Sequence, residues 1–261
     1  FLSQNENIAQ PVFDWNIVWI GPTPNLIKSM GNKDIARELA LKSNIPICPG
    51  ISNITKLNSD DLKNKCESIG YPLLVKSSAG GGGIGMSVVQ NFKDLSKSIE
   101  KTSNMAEKSF GNGDVFIEKF ITNARHIEIQ IFGFGDKGAV HLYERDCSMQ
   151  RRYQKIIEES PAPEIDRTLI ESMANAAVKL SSDVKYQGAG TVEFIYDVEQ
   201  KKYYFLEMNT RIQVEHPVTE LVTNNDLVSM QINFAFNRKN KFLKQEKISI
   251  YGHSIECRVY A

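Results

Sequence analysis

Apolar residues recur along this chain with two different periods, and the period separates helices from strands. Leu169, Met173, Ala176, Ala177 and Leu180 fall on one stripe at helical spacing and predict a helix over residues 167–182. Ile35, Ala36, Leu39 and Ala40 do the same for 34–42, and weaker patterns predict helices over 60–69, 92–107 and 221–237. Short runs rich in β-branched and aromatic residues predict strands at 16–20, 71–76, 87–90, 115–118, 127–132, 139–143, 191–196 and 203–208. Gly21, Pro22 and Pro24 end the first strand, and Pro46, Pro49 and Gly50 break the chain after the first helix. Residues 51–120 therefore read as a small α/β module, and residues 121–250 as a strand-dominated one. The predicted class is α+β.

Composition changes this picture little. Apolar residues make up 41% and charged residues 24%, as in an ordinary globular protein. Lys+Arg and Asp+Glu both number 31, so the formal net charge is zero and gives no support for a nucleic-acid partner. No apolar run approaches the roughly 18 residues of a membrane span, and the opening Phe1-Leu2-Ser3-Gln4 is not a signal peptide. Cys48, Cys66, Cys147 and Cys257 fit no zinc template and read as reduced thiols, which points to the cytoplasm, with an organelle matrix as the alternative.

The chemistry concentrates in Leu206-Glu207-Met208-Asn209-Thr210-Arg211-Ile212-Gln213-Val214-Glu215-His216-Pro217. Glu207 and Asn209 lie two apart in a strand and project to one face, and Glu193 adds a carboxylate from the preceding strand. Such hard oxygen donors suit Mg²⁺ or Mn²⁺. Arg211 offers an anion clamp and Glu215 a potential base beside them. Gly80, Gly81, Gly82, Gly83 and Gly85 form a loop whose backbone N–H groups can wrap phosphate, with Lys76 one strand end earlier. That loop has neither P-loop nor dinucleotide-fold spacing. Lys33, in a lysine-rich chain, reads by itself more readily as a solvated helix start, and His126 more often as structural than functional. Glu118-Lys119-Phe120-Ile121 is either a plain strand end or an adenine-binding edge, and Arg151-Arg152-Tyr153-Gln154-Lys155 either a solvated loop or an anion site.

Taken in order, these segments resemble the biotin carboxylases of the ATP-grasp superfamily. The resemblance runs through Lys76-Ser77-Ser78-Ala79-Gly80-Gly81-Gly82-Gly83-Ile84-Gly85-Met86, Glu144-Arg145-Asp146-Cys147-Ser148-Met149-Gln150-Arg151-Arg152, Glu158-Glu159-Ser160-Pro161-Ala162-Pro163, the segment around Glu207, and Gly252-His253-Ser254-Ile255-Glu256-Cys257-Arg258. It implies an ATP-grasp fold, two α/β subdomains sandwiching ATP, with remnants of flanking domains. The expected divisions are 1–30 for the end of an N-terminal nucleotide-fold domain, 31–50 for a linker helix, 51–120 for the small lid, 121–250 for the large subdomain, and 251–261 for the start of a C-terminal domain. The chain would then be part of a longer enzyme, with negligible turnover if the reading frame ended here.

By the same resemblance, Lys33, Lys76, Gly81, Gly82, Gly83, Glu118, Lys119, Ile121, His126, Gln150, Glu193 and Glu207 contact ATP, and Glu193, Glu207 and Asn209 hold Mg²⁺ or Mn²⁺. Arg211, Gln213 and the Val214 backbone bind bicarbonate, Glu215 takes its proton, Lys155 faces the anion, and Arg258 steadies the enolate-like oxygen of biotin. Tyr153 departs from the histidine usual in acyl-CoA carboxylases, so that contact is not carried over. The implied activity is ATP- and bicarbonate-dependent carboxylation of biotin through carboxyphosphate. The alternatives are another ATP-grasp carboxylate–amine ligase or an inactive ATP-binding fragment. The biotin attachment motif Ala-Met-Lys-Met does not occur in these 261 residues, so biotin is expected from a carrier domain or protein, alongside a carboxyltransferase. A homodimer fits the resemblance. The Gly-rich loop and the runs 191–197 and 204–207 lean towards urea carboxylase-like members, with acetyl-CoA, other acyl-CoA and pyruvate carboxylases as the other candidates.

Overall fold

A computed structural model describes residues 2–79, 85–236 and 243–259. The chain opens with three helices, α1 (Glu6–Asp14), α2 (Pro24–Gly31) and α3 (Lys33–Lys42). Thr23 caps α2 with Pro24 in its first turn, and the Asn32 side chain accepts from the Ile35 N–H to cap α3. The strand expected at 16–20 does not form. These residues run irregularly, with Ile17, Val18 and Ile20 exposed. A short apolar run has no intrinsic preference for a strand unless a neighbour pairs its backbone, and neither sheet reaches it.

The first sheet is built from β1 (Gly50–Ile51), β2 (Leu73–Ser77), β3 (Met86–Val89) and β4 (Val115–Lys119), in the order β1-β4-β2-β3 and antiparallel throughout. The helices α4 (Ser59–Ile69) and α5 (Leu95–Phe110) belong to this part, and Cys66, Leu73, Val75, Val89, Leu95 and Ile117 form its core. The glycines 81, 82 and 83 expected at phosphate lie outside the described residues.

The second sheet has six strands. They are β5 (Ala124–Phe134), β6 (Ala139–Arg151), β7 (Gln154–Ser160), β8 (Gln187–Asp197), β9 (Lys202–Asn209) and β10 (Ser254–Cys257), in the order β10-β7-β6-β5-β8-β9. Between β7 and β8 runs α6 (Arg167–Asp183), whose Ile170, Met173, Ala174, Ala177 and Leu180 pack on Ile127, Ile129, Val192 and Phe194. Leu169 and Ala176, expected in that stripe, are only partly buried at its margin. The basic run at 151–155 is not a loop. It is a hairpin joining β6 to β7, with Arg151 paired to Gln154. Two helices, α7 (His216–Thr223) and α8 (Leu227–Ala235), replace the single helix expected over 221–237. Asn224 takes a left-handed conformation at φ +54° and ends α7, and the Asp226 carboxylate caps α8.

Bulges decide which side chains the second sheet presents. Glu193 pairs with Glu207 but Phe194 with Phe205, so Leu206 is an extra residue in β9. Phe205 can therefore enter the core while Glu207 faces the other way. In β7 Gln150 faces Lys155 and Met149 faces Ile157, which makes Ile156 extra. That insertion brings Lys155 and Glu158 to one face although they are three apart.

Candidate active site

Register alone lines up a row of charge across four strands. Arg145 on β6 pairs with Glu128 on β5, Glu128 with Glu193 on β8, and Glu193 with Glu207 on β9. Like charges directly opposite one another destabilise a sheet, so this row needs cations. The protein supplies them from neighbouring elements. Lys155 Nζ touches Glu128 Oε2, lies 2.8 Å from Glu193 Oε1 and 2.7 Å from Glu215 Oε1. His126 Nε2 lies 2.9 Å from Glu193 Oε2, and its Nδ1 is 3.0 Å from the Gln150 amide nitrogen. Burial would lower the His126 pKa, but Glu193 outweighs it and raises it. Burial likewise works against ionised Glu128, yet Lys155 and Arg145 hold its carboxyl at about 2.

Glu193 is the centre of the arrangement. Its Oε1 accepts from Lys155, from Asn209 Nδ2 at 2.9 Å and from Gln213 Nε2 at 3.0 Å. The segment 207–215, too long to converge if extended, bends after β9, and Glu215 becomes the residue preceding α7. Its carboxylate sits at the positive end of that helix. Arg258, following β10, closes the site from the far edge: Nη2 reaches Glu215 Oε2 at 2.7 Å and Nε reaches Glu158 Oε1 at 2.6 Å. Arg211 Nε donates to Gln4 Oε1 at 3.0 Å, and its guanidinium feels the charges of Glu215, Glu193 and Glu207. The Val214 side chain is exposed.

The first sheet contributes the other wall. Lys33 begins α3 and donates to the Ser77 carbonyl at 3.4 Å, while Lys76 at the end of β2 pairs with Glu118 at 2.8 Å. Burial, then Lys76, pushes the Lys33 pKa down, and Glu207 opposes that. Two ammonium groups that repel each other beside buried acids are a natural seat for a phosphate chain. Lys119 turns its ammonium to the carbonyls of Gly70 (3.0 Å) and Tyr71 (2.9 Å), and Ile121 is half-buried just beyond.

Glu193, Glu207 and Asn209 also converge, with Asn209 Nδ2 3.4 Å from Glu207 Oε1. Burial first, and then Glu193, raise the Glu207 pKa, whereas a divalent cation between the two carboxylates would reverse that. The donor set is all hard oxygen once the Asn209 amide turns its Oδ1 inward, so it fits Mg²⁺ or Mn²⁺. The groups His126–Glu128–Glu193 and Glu128–Cys147–Glu215 are also close enough to share an ion, but Lys155 and Arg145 already neutralise Glu128 there.

Sequence reasoning missed Glu128, Arg145, Arg37 and Gln4. Glu128 carried the same signal as Glu193, a lone acid among Ile127, Ile129 and Ile131. Arg37 looked like an ordinary helix residue, yet it is buried and its Nη1 lies 3.0 Å from Glu118 Oε2. Gln4 preceded any recognisable pattern and reaches Asn209 and Arg211.

Residues 32–242 match the family described as the carbamoyl-phosphate synthase L chain, ATP-binding domain. Biotin carboxylase 1 of Bacillus subtilis (strain 168) is 46% identical over the whole chain, which spans 58% of that protein. The alpha subunit of mitochondrial methylcrotonoyl-CoA carboxylase of Arabidopsis thaliana is 44% identical over the whole chain, which spans 35% of it. Among solved structures, the biotin carboxylase domain dimer of Hydrogenobacter thermophilus 2-oxoglutarate carboxylase, in complex with MgADP, ADP and bicarbonate, superposes with a TM-score of 0.92 at 42% identity, covering 99% of this chain and 56% of that one.

Proposed function

The chain belongs to the family of the carbamoyl-phosphate synthase L chain ATP-binding domain and has the ATP-grasp fold of biotin carboxylases, and from that premise we propose that it is the catalytic core of a biotin carboxylase. Its reaction would be ATP- and bicarbonate-dependent carboxylation of biotin borne on a carrier, within a larger biotin-dependent carboxylase that also needs a carboxyltransferase. The observation that carries this reading is the junction of Lys155, Glu215 and Arg258, where one carboxylate is held between two cations beside the acidic row.

In this reading Lys33 and Lys76 hold the phosphates of ATP, and Glu118, Lys119 and Ile121 border the base. Glu193, Glu207 and Asn209 hold Mg²⁺ or Mn²⁺, which when bound neutralises charge on the phosphate oxygens. Arg211 grips bicarbonate through its planar fork, helped by Gln213 and the Val214 backbone. Glu215 accepts the bicarbonate proton, and the freed oxygen attacks the γ-phosphorus as the bond to ADP breaks. Lys155 stays beside the growing negative charge. Carboxyphosphate then divides into CO₂ and phosphate. The phosphate so released would take the proton from the biotin ring nitrogen, which would then bond to the CO₂ while Arg258 steadies the enolate-like oxygen. The four cysteines are free, and among the described residues no helix is long and apolar enough to cross a membrane, which fits work in the cytoplasm or an organelle matrix.

The test is ATP hydrolysis by the enzyme that carries this chain. Hydrolysis should require bicarbonate, rise with free biotin, and fall by about 10²-fold or more in Glu215→Gln, in line with loss of a general base. Hydrolysis indifferent to bicarbonate but dependent on an amine or another carboxylate would instead identify a different ATP-grasp ligase.

A further inference from the structure

Arg145 is wholly buried, and every N–H of its guanidinium has an acceptor. Nε donates to Glu128 Oε1 at 2.6 Å. Nη1 donates to Gln130 Oε1 at 2.7 Å and Thr219 Oγ1 at 2.8 Å. Nη2 donates to Gln213 Oε1 at 3.1 Å and Thr191 Oγ1 at 3.3 Å. These partners come from β5, β8, the bend before α7, and α7 itself.

Three of the bonds have consequences beyond packing. Gln213 Oε1 faces Arg145, so its Nε2 is the end that faces Glu193. Without the guanidinium the amide would lose the contact that fixes its orientation. Glu128 gives one oxygen to Arg145 and the other to Lys155, so Arg145 also sets the carboxylate that aims Lys155 at Glu215. Thr219 lies one helical turn beyond Glu215 and anchors α7 to the same guanidinium. We propose that Arg145 is a positioning residue for the bicarbonate site: it holds Gln213, Lys155 and the start of α7 in one geometry, and so sets affinity for bicarbonate far more than affinity for nucleotide, which Gln213 and Lys155 touch only through Glu193. The proposal rests on the function given above.

A merely structural arginine would lower the amount of folded enzyme, or weaken both substrates together. A positioning arginine separates them. The experiment uses Arg145→Lys, Thr219→Val and the double variant in the enzyme that carries this chain. It measures KM for bicarbonate at saturating ATP, KM for ATP at saturating bicarbonate, and MgADP binding by calorimetry. Arg145→Lys keeps the charge but loses most of the five bonds, so KM for bicarbonate should rise about tenfold or more, the scale of a lost charge-assisted hydrogen bond. Thr219→Val removes one acceptor and should raise it by roughly threefold. Nucleotide affinity should stay within about twofold of the parent for both. Because Thr219 acts through Arg145, the double variant should be no worse than Arg145→Lys. An unchanged KM for bicarbonate in a folded variant, or a parallel rise in both KM values, overturns the proposal. If Arg145→Lys does not fold, Thr219→Val decides by itself, and an unchanged bicarbonate KM there overturns it too. A parent enzyme lacking bicarbonate-dependent hydrolysis would sink the functional reading instead.

Discussion

Glu207 is the acid in the cross-strand row with the weakest compensation. Lys155 serves Glu128, Glu193 and Glu215, whereas Glu207 has the pull of Lys33, Lys76 and His126 and a 3.4 Å hydrogen bond from Asn209 Nδ2 to set against burial and Glu193. Its folded pKa is therefore above its unfolded one, and the sign follows. The native state is less stable while Glu207 is ionised, regains that stability as pH falls through the raised value, and has all of it below the ordinary 4.5. Glu207→Gln should thus raise the thermal midpoint in EDTA at neutral pH, and the gap should close on acidification. The same variant should lose the midpoint rise that Mn²⁺ with ATP gives the parent. Equal midpoints in EDTA, or an undiminished response to Mn²⁺ with ATP, would contradict this assignment of the cation site. Glu193, Glu207 and Asn209 were legible as a group because strand periodicity places them on one face. Glu128 and Arg145 were not, since joining them to the row needs the pairing of β5 with β6 and β8, which no local pattern states.

At the scale of elements, the bulges matter more than strand boundaries. Simple alternation puts Phe205 and Glu207 on one face, and only the extra Leu206 sends one to the core and the other to the cleft. The hairpin between β6 and β7 is a second case. Arg152 at φ +52° and Tyr153 at φ +67° fill a two-residue turn that favours Asn-Gly. Changing this pair to Asn-Gly should raise the denaturation midpoint, with a gain of about 1 kcal/mol in unfolding free energy, through relief of left-handed backbone. A lowered midpoint would mean that the two side chains stabilise the tip by contacts that outweigh its strain. The sequence leaves 151–155 as either a solvated loop or an anion site and gives no sign of the hairpin, because its strand character depends on pairing with β6. Likewise the helix expected over 221–237 divided at Asn224, where apolar periodicity hid a left-handed residue.

At the scale of the whole molecule, the acidic row on the second sheet faces the paired lysines of the first, and bicarbonate chemistry would occur where the two meet. Five motifs in order made the ATP-grasp fold legible from sequence, because each is a short segment whose chemistry does not depend on knowing the sheet. The strand expected at 16–20 failed for the opposite reason, since it depended entirely on a neighbour. The role given to Glu215 and Arg211 implies that a bicarbonate oxygen becomes bonded to phosphorus. Hydrolysis of ATP in the presence of ¹⁸O-labelled bicarbonate, with the released phosphate analysed by mass spectrometry, tests this directly. Phosphate carrying one bicarbonate-derived ¹⁸O is the expected result. Phosphate whose new oxygen comes only from water would show that bicarbonate is never phosphorylated, and the reaction centre would have to be reassigned.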